Sequence, residues 1–221
     1  MIAYRLIASV YPTVSVYDRI VDTAHFAELL EIEELTNPRV REEAGDFRKV
    51  RPEDAVSGPG TTPIMASFVY TSYSRFSDGS YGVYYAAGDE ETALAETIYH
   101  RSKFLRATHE PSIDVDERLY RATVNGTFDD IRARPSRSKL YDPDDYSSSQ
   151  RYAARLYAAN AVDGILYRSV RRPQGECVAA FRPRCVSKCR VQAYLRLRWD
   201  GSSIVSVAVL TDFKKRRGDG P

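Results

Sequence analysis

Ser80-Tyr81-Gly82-Val83-Tyr84-Tyr85-Ala86 reads as a β-rich run that passes through Gly88-Asp89 into a helix bearing Ala93-Leu94-Ala95-Glu96-Thr97. Asp89 is the expected N-cap, because its side chain can accept from backbone N–H groups that a first helical turn leaves without partners. Glu90 and Glu91 follow in that turn, where the helix dipole favours acids, and the helix is expected to run to about Phe104. Downstream, residues 117–125 alternate like a strand, and Ser147 to Gln150 has the spacing of a capping box that opens a helix to about Ala161. Short strands are expected over 164–168, 177–181, 191–199 and 204–209. Upstream, residues 2–8 read as a strand. Asp22-Thr23 caps a helix over 25–35 that Asn37-Pro38 stops, and 65–70 returns to strand character. Strands and helices mix without βαβα alternation, which favours an α+β domain over a doubly wound sheet.

The 221 residues carry 32 Lys and Arg against 30 Asp and Glu, a net charge of +2 that does not by itself imply nucleic acid. The distribution is uneven. Residues 165–200 hold nine Lys and Arg and two acids, whereas 22–34 hold five acids and no Lys or Arg. A basic stretch of this kind suits an anionic small molecule or an acidic partner, and a solvated charged surface has the same composition. No nucleic-acid-binding motif accompanies it, so no direct nucleic-acid binding is expected. Cys177, Cys185 and Cys189 form no paired framework, and His25, His100 and His109 lie far upstream, so neither a disulfide scaffold nor a metal site is expected. No stretch approaches the ~20 apolar residues of a membrane span, and the opening lacks a signal-peptide pattern. A cytoplasmic location is the expectation.

No P-loop, G-x-G-x-x-G, H-E-x-x-H or G-x-S-x-G motif is present. The candidate chemistry lies in Ser74-Arg75-Phe76-Ser77-Asp78-Gly79 and the run that follows it. An arginine before a glycine-rich turn can grip a phosphate through two hydrogen bonds, and the glycines let backbone approach a ligand. Glu96 reads as a carboxylate on a helical face with Ala93, Leu94 and Ala95, costly to bury unless paired or used. By itself, an Arg–Gly–Tyr–Glu series is more often a buried ion pair with core aromatics. Tyr84, on the other side of the strand from Tyr85, is expected in the core.

The segment SRFSDGSYGVYYAAGDEETALAETIYHR (74–101), with GILYRSVRRPQGECVAAFRP (164–183), resembles the two signature blocks of the RES domain family, named for an arginine, a glutamate and a serine. Arg75 precedes Tyr85 by ten positions and Tyr85 precedes Glu96 by eleven, as in the family; Ser169 lies in the second block, and Tyr4-Arg5 matches the opening motif. The resemblance covers residues 1–10 and 66–182. It implies one catalytic domain over 1–212 with ADP-ribosyltransferase-like antiparallel sheets and flanking helices. Residues 12–65 are then a largely helical insertion near the N-terminus, and 213–221 a flexible basic tail. It also implies that NAD is the substrate, consumed by hydrolysis or by phosphorolysis with inorganic phosphate as co-substrate, and that no separate cofactor is needed. Members are typically toxins, with an Xre-type antitoxin protein as partner and a homodimer as the habitual state. One branch modifies a protein target instead, so mono-ADP-ribosylation stays open, as does a catalytically silent nucleotide-binding regulator.

Under that resemblance, Glu96 stabilises the positive charge that builds on the ribose as the nicotinamide bond breaks. Arg75 and Arg5 hold the pyrophosphate, Tyr85 stacks on nicotinamide or orients the ribose, Tyr4 joins the NAD-binding set, and Ser169 bonds the amide or a phosphate. Arg168, Arg171 and Arg172 are left over: they either admit a free phosphate beside the ribose or face solvent or an acidic partner. His100, one turn beyond Glu96, is a further acid–base candidate that the family's motif does not require.

Overall fold

The computed structural model describes residues 1–9 and 46–211. The helix expected over 25–35 and the tail at 213–221 lie outside the described residues. Eight strands form one sheet: β1 (Ile2–Ala8), β2 (Tyr84–Ala87), β3 (Ile113–Val124), β4 (Phe128–Asp130), β5 (Gly164–Arg168), β6 (Glu176–Ala180), β7 (Val186–Trp199) and β8 (Ile204–Val209). Their order is β4-β5-β6-β2-β1-β3-β7-β8. Among the described strands, only β4 and β5 pair in parallel. The helices are α1 (Thr62–Val69), α2 (Glu90–Ala107) and α3 (Ser147–Ala159). The α+β expectation holds as a mixed fold whose single sheet is mostly antiparallel.

Strand alternation sends side chains to two covered faces. On one face, Ala3, Tyr84, Ala86, Tyr120, Ala122, Val178 and Ala180 meet Ile64, Met65, Phe68 and Val69 of α1. Burying each of those four α1 side chains contributes about 1.5–3 kcal/mol. Ala87, Ile165, Tyr167, Cys177 and Ala179 lie on the other face with Ala93 of α2 and Ala153 of α3. Further along it, Leu119, Leu195 and Leu197 pack on Leu94 and Ile98 of α2.

Three local expectations change. Residues 65–70 are not a strand. The apolar run of 64–69 belongs to α1, which starts with Pro63 in its first turn, a position where the missing N–H costs nothing. Ser147 and Gln150 do not form a capping box. Tyr146 occupies the N-cap without a side-chain bond, Ser147 Oγ donates to Asp145, and the Gln150 amide reaches Ser74 and Ser77 instead. The close approach at Gly82 is to α1. A Cβ there would lie 2.2 Å from Phe68 Cα, so this glycine lets α1 dock against the sheet. Asp89 caps α2 as expected, accepting from Thr92 N at 2.8 Å.

Candidate active site

Helix α2 carries Glu96 away from its own apolar stripe. Leu94 and Ile98 face the sheet. At 3.6 residues per turn, Glu96 points away from Leu94 and Ile98 and shares its side of the helix with Ala93, three residues earlier. It meets the turn that follows β5. Ser169 Oγ donates to Glu96 Oε1 at 2.6 Å and accepts from the backbone N–H groups of Arg171 and Arg172, each at 3.0 Å. One proton and two lone pairs are all that a hydroxyl offers, so Ser169 is fully committed. In this arrangement it fixes the carboxylate. Glu96 Oε2 lies 3.9 Å from His100 Nε2, one turn along α2. The imidazole is held below its usual range by desolvation first and by Arg171, Arg75 and Lys103, against the pull of Glu96.

Arg75 sits in a turn closed by the Ser74–Ser77 bridge. Tyr85 clamps this turn through its hydroxyl, which bonds Ser74 Oγ and accepts from Phe76 N, both at 2.9 Å. From α3, Ser149 Oγ donates to the Arg75 carbonyl and the Gln150 amide to those of Ser74 and Ser77. Arg75 Nη1 donates to the carbonyls of Leu140 (3.2 Å) and Asp142 (2.8 Å), and its guanidinium lies over the Tyr146 ring. The Nε and Nη2 groups bond nothing among the described residues. Burial pushes the Tyr85 hydroxyl up to about 12, against its bonds to Ser74 and Phe76. What Tyr85 can offer a ligand is therefore its ring face. Buried Tyr167 marks where these groups converge: burial first, then Cys177, Glu96 and Tyr85 push its hydroxyl upward, and Arg75 opposes them.

The opening motif divides. Tyr4 packs on the face of Tyr85 and Leu6. Arg5 pairs with Tyr120 and points to the opposite face, where it donates to Ser67 on α1 and covers the Tyr84 ring. The structure thus brings Glu96, Ser169, Arg75, Tyr85 and Tyr4 to one face and leaves Arg5 on the other. Among the remaining arginines, Arg172 is held by Glu91, Asp89 and Thr92, and Arg168 lies over Tyr141. Arg171 is half-buried. Its guanidinium lies 3.3 Å from the Tyr99 ring centroid and donates to the Pro143 carbonyl. The roles of Gln150 and Ser149 had no local signal, because their partners lie more than 70 residues away.

A family model for the RES domain matches residues 50–200, most of the chain. This chain belongs to the RES domain family. The matched span contains Arg75, Tyr85, Glu96 and Ser169, and begins after β1, which carries Tyr4 and Arg5. The chain is also similar to "Uncharacterized protein y4oC" of Sinorhizobium fredii (strain NBRC 101917 / NGR234), 32% identical over 207 residues that cover 91% of this chain and 84% of that protein. In this RES domain, no helix of the described residues is long and apolar enough to cross a membrane. Cys177, Cys185 and Cys189 are buried and form no disulfide among the described residues.

Proposed function

We propose that this RES-domain protein is an NAD-degrading enzyme that breaks the bond between nicotinamide and ribose. The carrying observation is the Glu96 carboxylate, held by Ser169 Oγ at 2.6 Å on the face where Arg75 and Tyr85 converge. As the C–N bond breaks, its electron pair leaves with nicotinamide, and the ribose takes on oxocarbenium character. A fixed anion beside the ribose hydroxyls stabilises that charge without reorganising during the reaction. Ser169 is a positioning residue for Glu96. Tyr85 presents its ring to the nicotinamide and holds the turn that bears Arg75. Arg75 offers its Nε/Nη2 edge to a phosphate oxygen.

The acceptor completing the reaction is water or inorganic phosphate, whose oxygen bonds the ribose carbon while its proton passes to solvent. We read the sheet as ADP-ribosyltransferase-like, and we place the protein, from its family alone, among cytoplasmic toxins that act as homodimers and are held by an Xre-type antitoxin. Purified protein incubated with NAD, with and without phosphate, tests the reading. Release of nicotinamide with ADP-ribose or its phosphate ester is expected. Intact NAD at high enzyme concentration refutes it, and ADP-ribose attached to protein moves the activity to a mono-ADP-ribosyltransferase.

A further inference from the structure

Beside Glu96, a groove of about 470 Å³ runs along α2, lined by Ala95, Tyr99, Lys103, Arg106, Asp144 and Arg171 among others. Three of these are cations, and none has a carboxylate within ion-pair distance among the described residues. Some arginines elsewhere are neutralised by carboxylates, as Arg132 is by Asp130, Arg182 by Asp54, Arg196 by Asp116 and Arg198 by Asp114. In the groove, the side chains of Arg106 and Arg171 donate, among the described residues, to the carbonyls of Ser202 and Pro143. Asp144, the one acid, faces the Tyr99 hydroxyl at 3.4 Å. Like charges gathered in a recess repel until an anion enters, so the groove is electrostatically prepared for one.

Two lining residues, Ala95 and Arg171, connect the groove to Glu96. Ala95 precedes Glu96, and the Arg171 backbone N–H donates to the same Ser169 Oγ that holds Glu96. With Arg5 on the opposite face and Arg75 Nη1 committed to two carbonyls, the phosphates of a dinucleotide need other cations near Glu96. We infer that this groove is the subsite for the nucleoside diphosphate half of the substrate, with Lys103, Arg106 and Arg171 meeting its phosphates. The Arg171 guanidinium, stacked on Tyr99, offers a flat second face to the base. This assignment rests on the NAD-cleaving reading for its place in the reaction, and on charge and shape alone for its ligand class.

The test is the double variant Lys103→Gln/Arg106→Gln, whose side chains are exposed and whose loss spares the core. Loss of two charge-assisted phosphate contacts should raise KM for NAD by about tenfold or more, with kcat within about twofold. KM for nicotinamide mononucleotide, which lacks the adenylate, should move less. Independently of turnover, calorimetric titration of the full chain with ADP should show binding that weakens by the same factor and falls with added salt. Unchanged ADP affinity in the variant overturns the subsite and leaves NAD cleavage standing. Absence of ADP binding to the wild type also overturns it. If the wild type binds ADP through these residues yet releases no nicotinamide, the subsite stands and the proposed reaction falls.

Discussion

Ser169 Oγ donates to Glu96 Oε1 across 73 residues of sequence, joining the turn after β5 to the second turn of α2. The same oxygen accepts from Arg171 N and Arg172 N, so one hydroxyl shapes a turn and aims a carboxylate. Glu96→Gln keeps an oxygen for Ser169 and removes the charge. It is expected to fold with an unchanged melting temperature and to lose about 100–1000-fold in kcat for NAD. Near-wild-type turnover in the folded variant would sink the catalytic assignment.

Ser169→Ala removes the aim and leaves the charge. A displaced carboxylate costs up to about 100-fold in kcat with little change in KM. Ser169→Thr, which retains the hydroxyl, should recover much of it. A KM effect without a kcat effect would instead make Ser169 a direct substrate ligand.

Tyr85→Phe separates the ring from its hydroxyl. The buried Phe76 N–H loses its acceptor, at a cost of about 1–3 kcal/mol, and the turn bearing Arg75 loosens. The expected readout in denaturant titration and steady-state kinetics is lower stability and a raised KM, with kcat less affected. Because the hydroxyl titrates at about 12, wild-type activity should show no limb from Tyr85 ionisation below pH 10.

Gly82→Ala tests the packing reading of the glycine in the signature segment. Its Cβ would meet Phe68 Cα at 2.2 Å and the Ser67 and Phe68 carbonyl oxygens at 2.7 Å, and backbone cannot yield as a flexible side chain would. A loss of about 1–3 kcal/mol or more is expected by chemical denaturation. Wild-type stability with weakened NAD binding would return Gly82 to the ligand.

Glu117 sets a pH dependence. It is fully buried on β3, pairs with Arg101 of α2 at 2.7 Å, and its Oε2 has no hydrogen-bond partner among the described residues. Burial raises its pKa above the ordinary 4.5, and Arg101 and Arg118 only partly oppose this. A raised folded pKa means that the protonated form favours the fold: the contribution is complete below about 4.5 and is lost as pH rises through the folded value. The stability difference between Glu117→Gln and wild type should therefore shift toward the variant from pH 4 to pH 7. Denaturant titrations at the two pH values decide it. A shift toward the wild type would show that the Arg101 pair outweighs desolvation.

Sequence alone determined what depends on neighbours a few residues away. The Asp89 cap, the positions of β5, β6 and β8 and the spacing from Arg75 through Tyr85 to Glu96 are set by residue types and hydrogen bonds within short segments. Tertiary structure decided the rest. The run of 64–69 was ambiguous because a short apolar segment suits a strand or a buried helix equally, and only the approach of Phe68 to Gly82 selects the helix. Alternation separates Tyr4 from Arg5, but which face of the sheet receives the site depends on where α1 and α2 pack. Ser169, Gln150 and Arg171 find their partners through contacts that exist only once the sheet has formed, since no local period encodes a hydrogen bond between distant segments.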